Sequence, residues 1–386
     1  MRAVHRPPAR GAILAPLLRL FRRDFGLLAL FAAAALSAAA CGTGASTAAP
    51  DSGITVETST GDWLHTAQNH ILRSDGTVWH GRGANLNDTR SCNACTYQAP
   101  SAAEVMRRAD ELIDNWKANF IRLDLESYGS ATEGGSPPRV HWQGLLADAG
   151  YLADIQAIVS HISAKGAYTM VSLWVDPTFT QTSSSTSEAG WPTAATNAVL
   201  AKLAQTFLDD PHVLFGVCNE PQNNFDGSLD ATAWSAMNSA VAAIRAVEDA
   251  AGTPHHIVAV QGTGGWSSRL DYYVAHPIAA SGGGNVAYEA HVYVPSSQFA
   301  QVFGNAAKTI PVIIGEFGPA NMSDSDLAAL QQQAEQNGIP HLAWTLHMRC
   351  DPSLLVDNSG GGCGIGMALQ PSPWGQLLKT RLAIPW

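Results

Sequence analysis

Eight short apolar runs, each closing on polar or aromatic residues, constrain the fold of this chain more than any other feature. They are "VWHGRGANL" (78–86), "NFIRLDLE" (119–126), "YTMVSLWVD" (168–176), "VLFGVCNEP" (213–221), "HIVAVQG" (256–262), "NVAYEAHVY" (285–293), "IPVIIGEFG" (310–318) and "IPHLAWTLH" (339–347). Such near-continuous runs of β-branched and aromatic residues read as strands buried on both faces. Helical patterns stand between most of them. "SAAEVMRRADELIDNWKA" opens with Ser101 and Glu104 at capping-box spacing, and "ATAWSAMNSAVAAIRAVEDAAG" ends on Gly252 as a C-cap. "SDSDLAALQQQAEQNG" starts at Ser323 and stops at Gly338.

Strands alternating with helices predict a parallel sheet covered by helices, and eight units predict an α/β fold closed as a (β/α)8 TIM barrel. That barrel is expected to occupy 61–386 as one domain. A doubly wound open sheet is the rival, but no glycine-rich phosphate loop follows the first strand.

Before the barrel, Arg19, Arg22 and Arg23 precede "FGLLALFAAAALSAAAC", which has the basic, apolar and small-residue parts of a secretory signal. Cys41, after three alanines and before the polar "GTGASTAAPDSG", resembles the lipidated cysteine of bacterial lipoproteins, although Ala38 stands where a leucine is usual. The expectation is a signal over 1–40, a flexible linker over 41–60, and an exported protein that is lipidated at Cys41 or freely secreted. Any contact with a membrane would run through that lipid alone. Loss of residues 1–40 removes six arginines and one aspartate, moving the formal net charge from −10 to −15. An acidic surface of this kind repels phosphate backbones and argues against nucleic acid as a partner, while leaving a neutral ligand unaffected.

In an exported chain Cys92, Cys95, Cys350 and Cys363 can form two disulfides in three ways, and proximity favours Cys92–Cys95 and Cys350–Cys363. A zinc site from "CNAC" is the alternative, but it lacks a second C-x-x-C or a histidine pair at finger spacing. Cys218, within the fourth run, is expected to be a buried free thiol.

In a barrel of this type, chemistry belongs to residues at the C-terminal ends of the strands. Those ends carry Asn85, Arg122, Asp124, Trp174, Asp176, Asn219, Glu220, His291, Tyr293, Glu316 and Trp344. Polarity returns wherever a strand leaves the core, which accounts for any one of these residues but poorly for the whole set. Glu220 and Glu316 follow the fourth and seventh strands, which face each other across a barrel. Two opposed carboxyl groups are what glycoside hydrolysis needs, one to protonate the leaving oxygen and one on the other side of the anomeric carbon.

The sequence resembles the retaining glycoside hydrolases whose catalytic glutamates stand on strands four and seven, most closely family 5, the cellulase family. The resemblance is carried by "NEP" at 219–221, "GEFG" at 315–318, Arg122, the His291 and Tyr293 of "HVY", and Trp344, in order across about residues 78–347. It implies that Glu220 is the general acid/base and Glu316 the nucleophile. It further implies that Asn219 bonds the sugar 2-OH, that Arg122 and Tyr293 hold Glu316, and that Trp344 stacks on the sugar being cleaved. The negative charge of Glu316 would favour a proton on Glu220 until the covalent intermediate removes that charge. One departure concerns the end of strand three, where the family commonly carries a histidine and this chain has Trp174.

Of eleven tryptophans, Trp174, Trp266 and Trp344 are the candidates for stacking on sugar, because each follows a strand; the others are expected in the core. His80, His255 and His256 are expected to be structural. A metal held by His291 with either glutamate lacks the close-spaced ligand pairs of metal barrels. No metal and no cofactor are therefore expected. The reading is a monomeric, retaining hydrolase of neutral β-linked poly- or oligosaccharide, β-glucan or β-mannan, with internal attack favoured. The alternative is a non-catalytic, surface-anchored carbohydrate-binding barrel, which would have no use for paired carboxylates.

Overall fold

The computed structural model describes residues 62–88, 101–125, 145–147, 149–173, 190–221, 224–362 and 364–385. A short antiparallel hairpin, β1 (His65–Ala67) and β2 (His70–Leu72), comes first and turns at Gln68, whose φ is +55°. Eight parallel strands then close a barrel: β3 (Arg82–Asn87), β4 (Phe120–Leu125), β5 (Tyr168–Leu173), β6 (Val213–Gly216), β7 (Ile257–Gln261), β8 (Val286–Val292), β9 (Val312–Phe317) and β10 (His341–Ala343). The sheet runs in chain order, with β10 pairing back onto β3. Seven of the eight apolar runs contain one of these strands whole, and β3 extends one residue past the first run, to Asn87. The hairpin was not foreseen, since "HTAQNHIL" is too short and polar for its pattern to stand out.

The connecting helices follow their local signals. The helix α1 (Ala102–Asp110) is capped by Ser101, whose side chain accepts from the Glu104 N–H. Helices α2 (Ala149–Ser163) and α3 (Ala194–Thr206) cover β5 and β6. The long α4 (Asp230–Ala251) stops at Gly252, whose φ of +70° suits a residue without a Cβ. After the short α5 (Asp271–Ala275), α6 (Asp324–Gln336) begins with a reciprocal capping box between Ser323 and Asp326, and α7 (Pro373–Leu382) ends the fold. Between β8 and β9 the chain makes only 3-10 and π turns.

Two apolar regions result. The larger lies between barrel and helices. The smaller fills the barrel's lower interior with Phe120, Tyr168, Met170, Leu214, Ile257, Ala259, Ala287, Ile313 and Leu342. Leu64, Ile71 and Trp79 from the hairpin and its exit close that interior from below. Trp79 is fully buried and meets Phe120 and Tyr168 edge-on at 4.9 and 5.0 Å between ring centroids. The hairpin is thus a plug, and it leaves the opposite mouth as the open end. Among the described residues, no helix is long and apolar enough to cross a membrane.

Candidate active site

Moving up each strand from the apolar floor, the inward positions turn polar within two residues. Phe120 gives way to Arg122 and Asp124, Met170 to Ser172, Ala259 to Gln261, and Ala287 to Glu289 and His291, all buried. Arg122 organises this layer. Its Nη1 donates to Asn85 Oδ1 and to Glu316 Oε1, both at 2.9 Å, and its Nη2 donates to Asn219 Oδ1 at 2.6 Å. Asp124 Oδ1 lies 2.9 Å from Nη1 and Glu289 Oε1 lies 3.2 Å from Nε. One guanidinium cannot neutralise three carboxylates in a dry interior. Burial, reinforced by Glu316 and Glu289, drives Asp124 well above the usual carboxylate range despite Arg122.

Glu316 reaches this layer through a bulge. On β8, Ala290 and His291 are consecutive, yet their partners on β9 are Ile314 and Glu316. Gly315 is therefore the extra residue, and it shifts the alternation that would otherwise send Glu316 outward. Glycine fits there for a steric reason as well, because a Cβ on Gly315 would lie 1.9 Å from Glu289 Oε1. Once turned inward, Glu316 accepts from Arg122 on Oε1 and from the Tyr293 hydroxyl on Oε2 at 2.9 Å.

Glu220 arrives differently. The strand β6 ends at Gly216, two residues earlier than the apolar run, and Val217, Cys218 and Asn219 lead out of the barrel still buried. Cys218 is a free thiol. Glu220 itself has a φ of +45°, a left-handed conformation that costs an ordinary residue about 1–3 kcal/mol. The conformation is held from the side: Gln261 Oε1 accepts from the Glu220 N–H at 3.2 Å, and the Trp266 N–H donates to Pro221 O at 3.0 Å.

The two carboxylates and His291 converge. Each of Glu220, His291 and Glu316 places one polar atom within 4.8 Å of those of the other two. His291 Nδ1 is 2.8 Å from Glu220 Oε1 and 3.4 Å from Glu316 Oε1, while Nε2 is 3.1 Å from Glu289 Oε1. Burial disfavours a charge on His291, but Glu316, Glu220 and Glu289 outweigh it and push the imidazole up to about 10. Burial and the nearby Glu220 carboxylate raise Glu316 to about 7, against His291, Arg122 and the Tyr293 hydroxyl. Each of the three also offers an atom that could face a cation, with the His291 ring lying between the two acids.

The other sequence candidates fall in three groups. Trp344 is buried against Tyr293 and Cys350 at the exit of β10, and its carbonyl accepts from Trp374 Nε1 at 3.0 Å. Trp266 is 47% exposed, beside Phe225 at 62%. Trp174, Cys41, Cys92, Cys95 and Cys363 lie outside the described residues. Cys350 is disulfide-bonded. His256 is structural, its Nδ1 2.7 Å from Glu248 Oε1. Glu289 and Gln261 escaped the sequence reading, although Glu289, His291 and Tyr293 stand at alternate positions along β8 and its exit, which is the signal for a shared face.

An eight-stranded parallel barrel with two carboxylates meeting at its C-terminal mouth is the framework of an O-glycosyl hydrolase. The family model described as cellulase (glycosyl hydrolase family 5) matches residues 80–349, and the chain belongs to that family. Its fold is that of solved structures at low identity. The catalytic domain of an endoglucanase from Thermobifida fusca is 17% identical, with 84% of this chain and 98% of that one covered and a TM-score of 0.61. A β-glucanase from Saccharophagus degradans is 19% identical over 84% and 93%, with a TM-score of 0.60. The catalytic domain of a mannanase from Streptomyces sp. SirexAA-E is 18% identical over 88% and 95%, with a TM-score of 0.59. No curated protein matches the chain in sequence.

Proposed function

We propose that the enzyme cleaves β-linked glucan or mannan internally, with retention of configuration, using Glu220 as general acid/base and Glu316 as nucleophile. The observation that carries this is the approach of the two carboxylates, whose nearest polar atoms lie within 4.8 Å. Retaining enzymes hold their carboxyl groups about 5–5.5 Å apart, whereas inverting ones need about 6.5–9.5 Å to admit a water. The surroundings support these roles. Glu316 is 5% exposed and receives hydrogen bonds from Arg122 and Tyr293 on both oxygens, which favours the anion that attacks. Glu220, 19% exposed at the rim, is the one able to reach a leaving oxygen. After the glycosyl–Glu316 ester forms and the leaving group takes the Glu220 proton, the freed carboxylate draws a proton from the incoming water.

Asn219, held by Arg122, is in place to meet the sugar 2-OH, and Trp344 and Trp266 offer flat faces to pyranose rings. Trp174 is assigned to the same groove on its sequence position. Glucan and mannan are proposed because the solved structures similar in fold include an endoglucanase, a β-glucanase and a mannanase, the first two also in complex with cellotetraose. Incubation with soluble β-glucans, mannans and xylans should release reducing ends with a rapid fall in viscosity. Proton NMR should show the β-anomer forming first. An α-anomer appearing first overturns retention, and tight binding of oligosaccharide without any cleavage supports the non-catalytic barrel instead. In the same proposal the enzyme acts outside the cell as a monomer, with disulfides Cys92–Cys95 and Cys350–Cys363. The intact mass of the mature protein should then begin at an acylated Cys41, and an unmodified start further along rules out the anchor.

A further inference from the structure

Glu289 is a fully buried carboxylate on β8 that the double-displacement reading leaves without a task. It sits in the middle of the site nonetheless. Its Oε1 is 3.1 Å from His291 Nε2 and 3.2 Å from Arg122 Nε. The β9 bulge at Gly315 provides the room, since a methyl group there would overlap that same oxygen at 1.9 Å. The Gln261 side chain, oriented by accepting from the Glu220 N–H, turns its NH2 toward the His291–Glu289 pair.

Carboxylates stand at both ends of the imidazole, Glu289 at Nε2 and Glu220 at Nδ1. A neutral ring donating through Nε2 would present a bare Nδ1 to Glu220 and take its acid proton. A neutral ring protonated at Nδ1 would let Nε2 accept from the Gln261 NH2 at 3.3 Å but would set that same bare nitrogen against the Glu289 carboxylate at 3.1 Å. A ring with protons on both nitrogens donates at each end and leaves that proton on the carboxyl. We propose that Glu289 is a positioning residue for the reaction. It holds His291 doubly protonated, so that the Nδ1–H is committed to Glu220 Oε1 and the transferable proton is confined to Glu220 Oε2. No proton leaves His291 in the cycle. The Oε2 proton passes to the leaving oxygen, and a water proton later replaces it while the ring keeps both of its own.

Charge supports the same arrangement. The groups around His291 are Arg122 and Asp124 from β4, Glu220 after β6, the neutral Gln261 from β7, Glu289 on its own strand, Tyr293 just beyond that strand, and Glu316 from β9. Tyr293 and Asp124 are driven toward their neutral forms, chiefly by burial. With Arg122 and His291 positive and Glu289 and Glu316 negative, the cluster is neutral when Glu220 carries its proton. That is the form ready to react.

The proposal rests on the acid/base reading of Glu220, and the test separates the two. Glu289→Gln in the full chain keeps the shape above Gly315 but removes one negative charge, which lowers every apparent pKa of the cluster. Both limbs of the kcat/KM–pH profile on an aryl β-glycoside should move acidward by about one pH unit. A purely structural role would lower the melting temperature without moving the limbs, and unmoved limbs overturn the proposal. Nitrogen-15 NMR of the unsubstituted enzyme provides a reading that needs no variant to fold. Both ring nitrogens of His291 should remain protonated to about pH 9, in line with a value pushed up to about 10. A neutral ring at pH 8 refutes the idea. If no aryl glycoside or polysaccharide is cleaved, the hydrolase reading fails while the NMR result still decides the state of His291.

Discussion

The floor and the mouth of this barrel are built from the same strands, two residues apart, and they obey opposite rules. On β4 the inward side chain changes from Phe120 to Arg122, and on β8 it changes from Ala287 to Glu289. Below, three aromatic rings stack edge to face under a hairpin plug, and the interior is held by excluded water and close packing. Above, Arg122, Glu289, His291 and Glu316 are just as buried, but each is held by a partner of opposite charge. Burial alone is therefore not what makes the mouth reactive. Charges taken out of water are kept there by one another, so removing one changes the proton affinity of the rest.

Exchanging the consequences of damage at the two levels is the strongest way to break this comparison. Glu316→Ala removes the proposed nucleophile and should reduce kcat on β-glycosides by about 10⁵-fold, while the thermal midpoint stays level or rises as crowding of negative charge is relieved. Glu220→Ala should lose less, about 10²–10⁴-fold, and least on aryl glycosides whose leaving group needs little protonation. Phe120→Ala, two residues below Arg122, should do the reverse. Its cavity costs about 3–5 kcal/mol of stability, with kcat near normal wherever the protein remains folded. Unfolding curves and initial rates on the same three proteins check this. A Phe120 variant that is stable but inactive would mean that the floor sets the geometry of the mouth.

The two levels also differ in how plainly they can be read from sequence. The floor and the strands were legible because strands covered on both faces must be apolar throughout, and because Ser101, Gly252 and Ser323 mark helix ends by chemistry local to the chain. Glu220 and Glu316 were legible as residues, since each ends an apolar run. Their orientation was not. Simple alternation from Ile313 would carry Gly315 and Phe317 inward, and only the register shift against His291 turns Glu316 to the pore. Nor does any local pattern reveal that Glu220 adopts a positive φ, because the bonds that hold it come from Gln261 and Trp266, some forty residues on. Glu289 could have been found from its alternate spacing with His291 and Tyr293. It was overlooked because a carboxylate in mid-strand does not stand at a strand end, where chemistry was sought.

The smallest effect concerns the rim, where the mouth meets solvent. Trp266 and Ser267 have φ values of +61° and +52°, consecutive left-handed residues that L side chains adopt reluctantly. The turn is fastened beneath by Ser267 Oγ, which donates to Glu289 O at 2.6 Å and accepts from the Gly262 N–H. It is also tied to the loop bearing Glu220, since the Trp266 N–H donates to Pro221 O and the Gly265 N–H to Asn224 O. The Phe225 ring lies over Gly265, where an added Cβ would meet it at 2.3 Å. The strain thus supports an indole and a phenyl ring that both remain exposed, which folding alone would not favour. With Glu220 as the proposed acid, the loop that carries them would put both rings on the leaving-group side of the scissile bond. Trp266→Gly should leave stability unchanged or raise it by up to about 1 kcal/mol, since glycine adopts that backbone freely. KM for a polysaccharide should rise about 2- to 10-fold, the worth of one aromatic stacking contact, while an aryl glycoside with no sugar on the leaving side should be turned over as before. Equal losses on both substrates would place Trp266 among the residues that shape the carboxylate pair rather than the chain-binding rim.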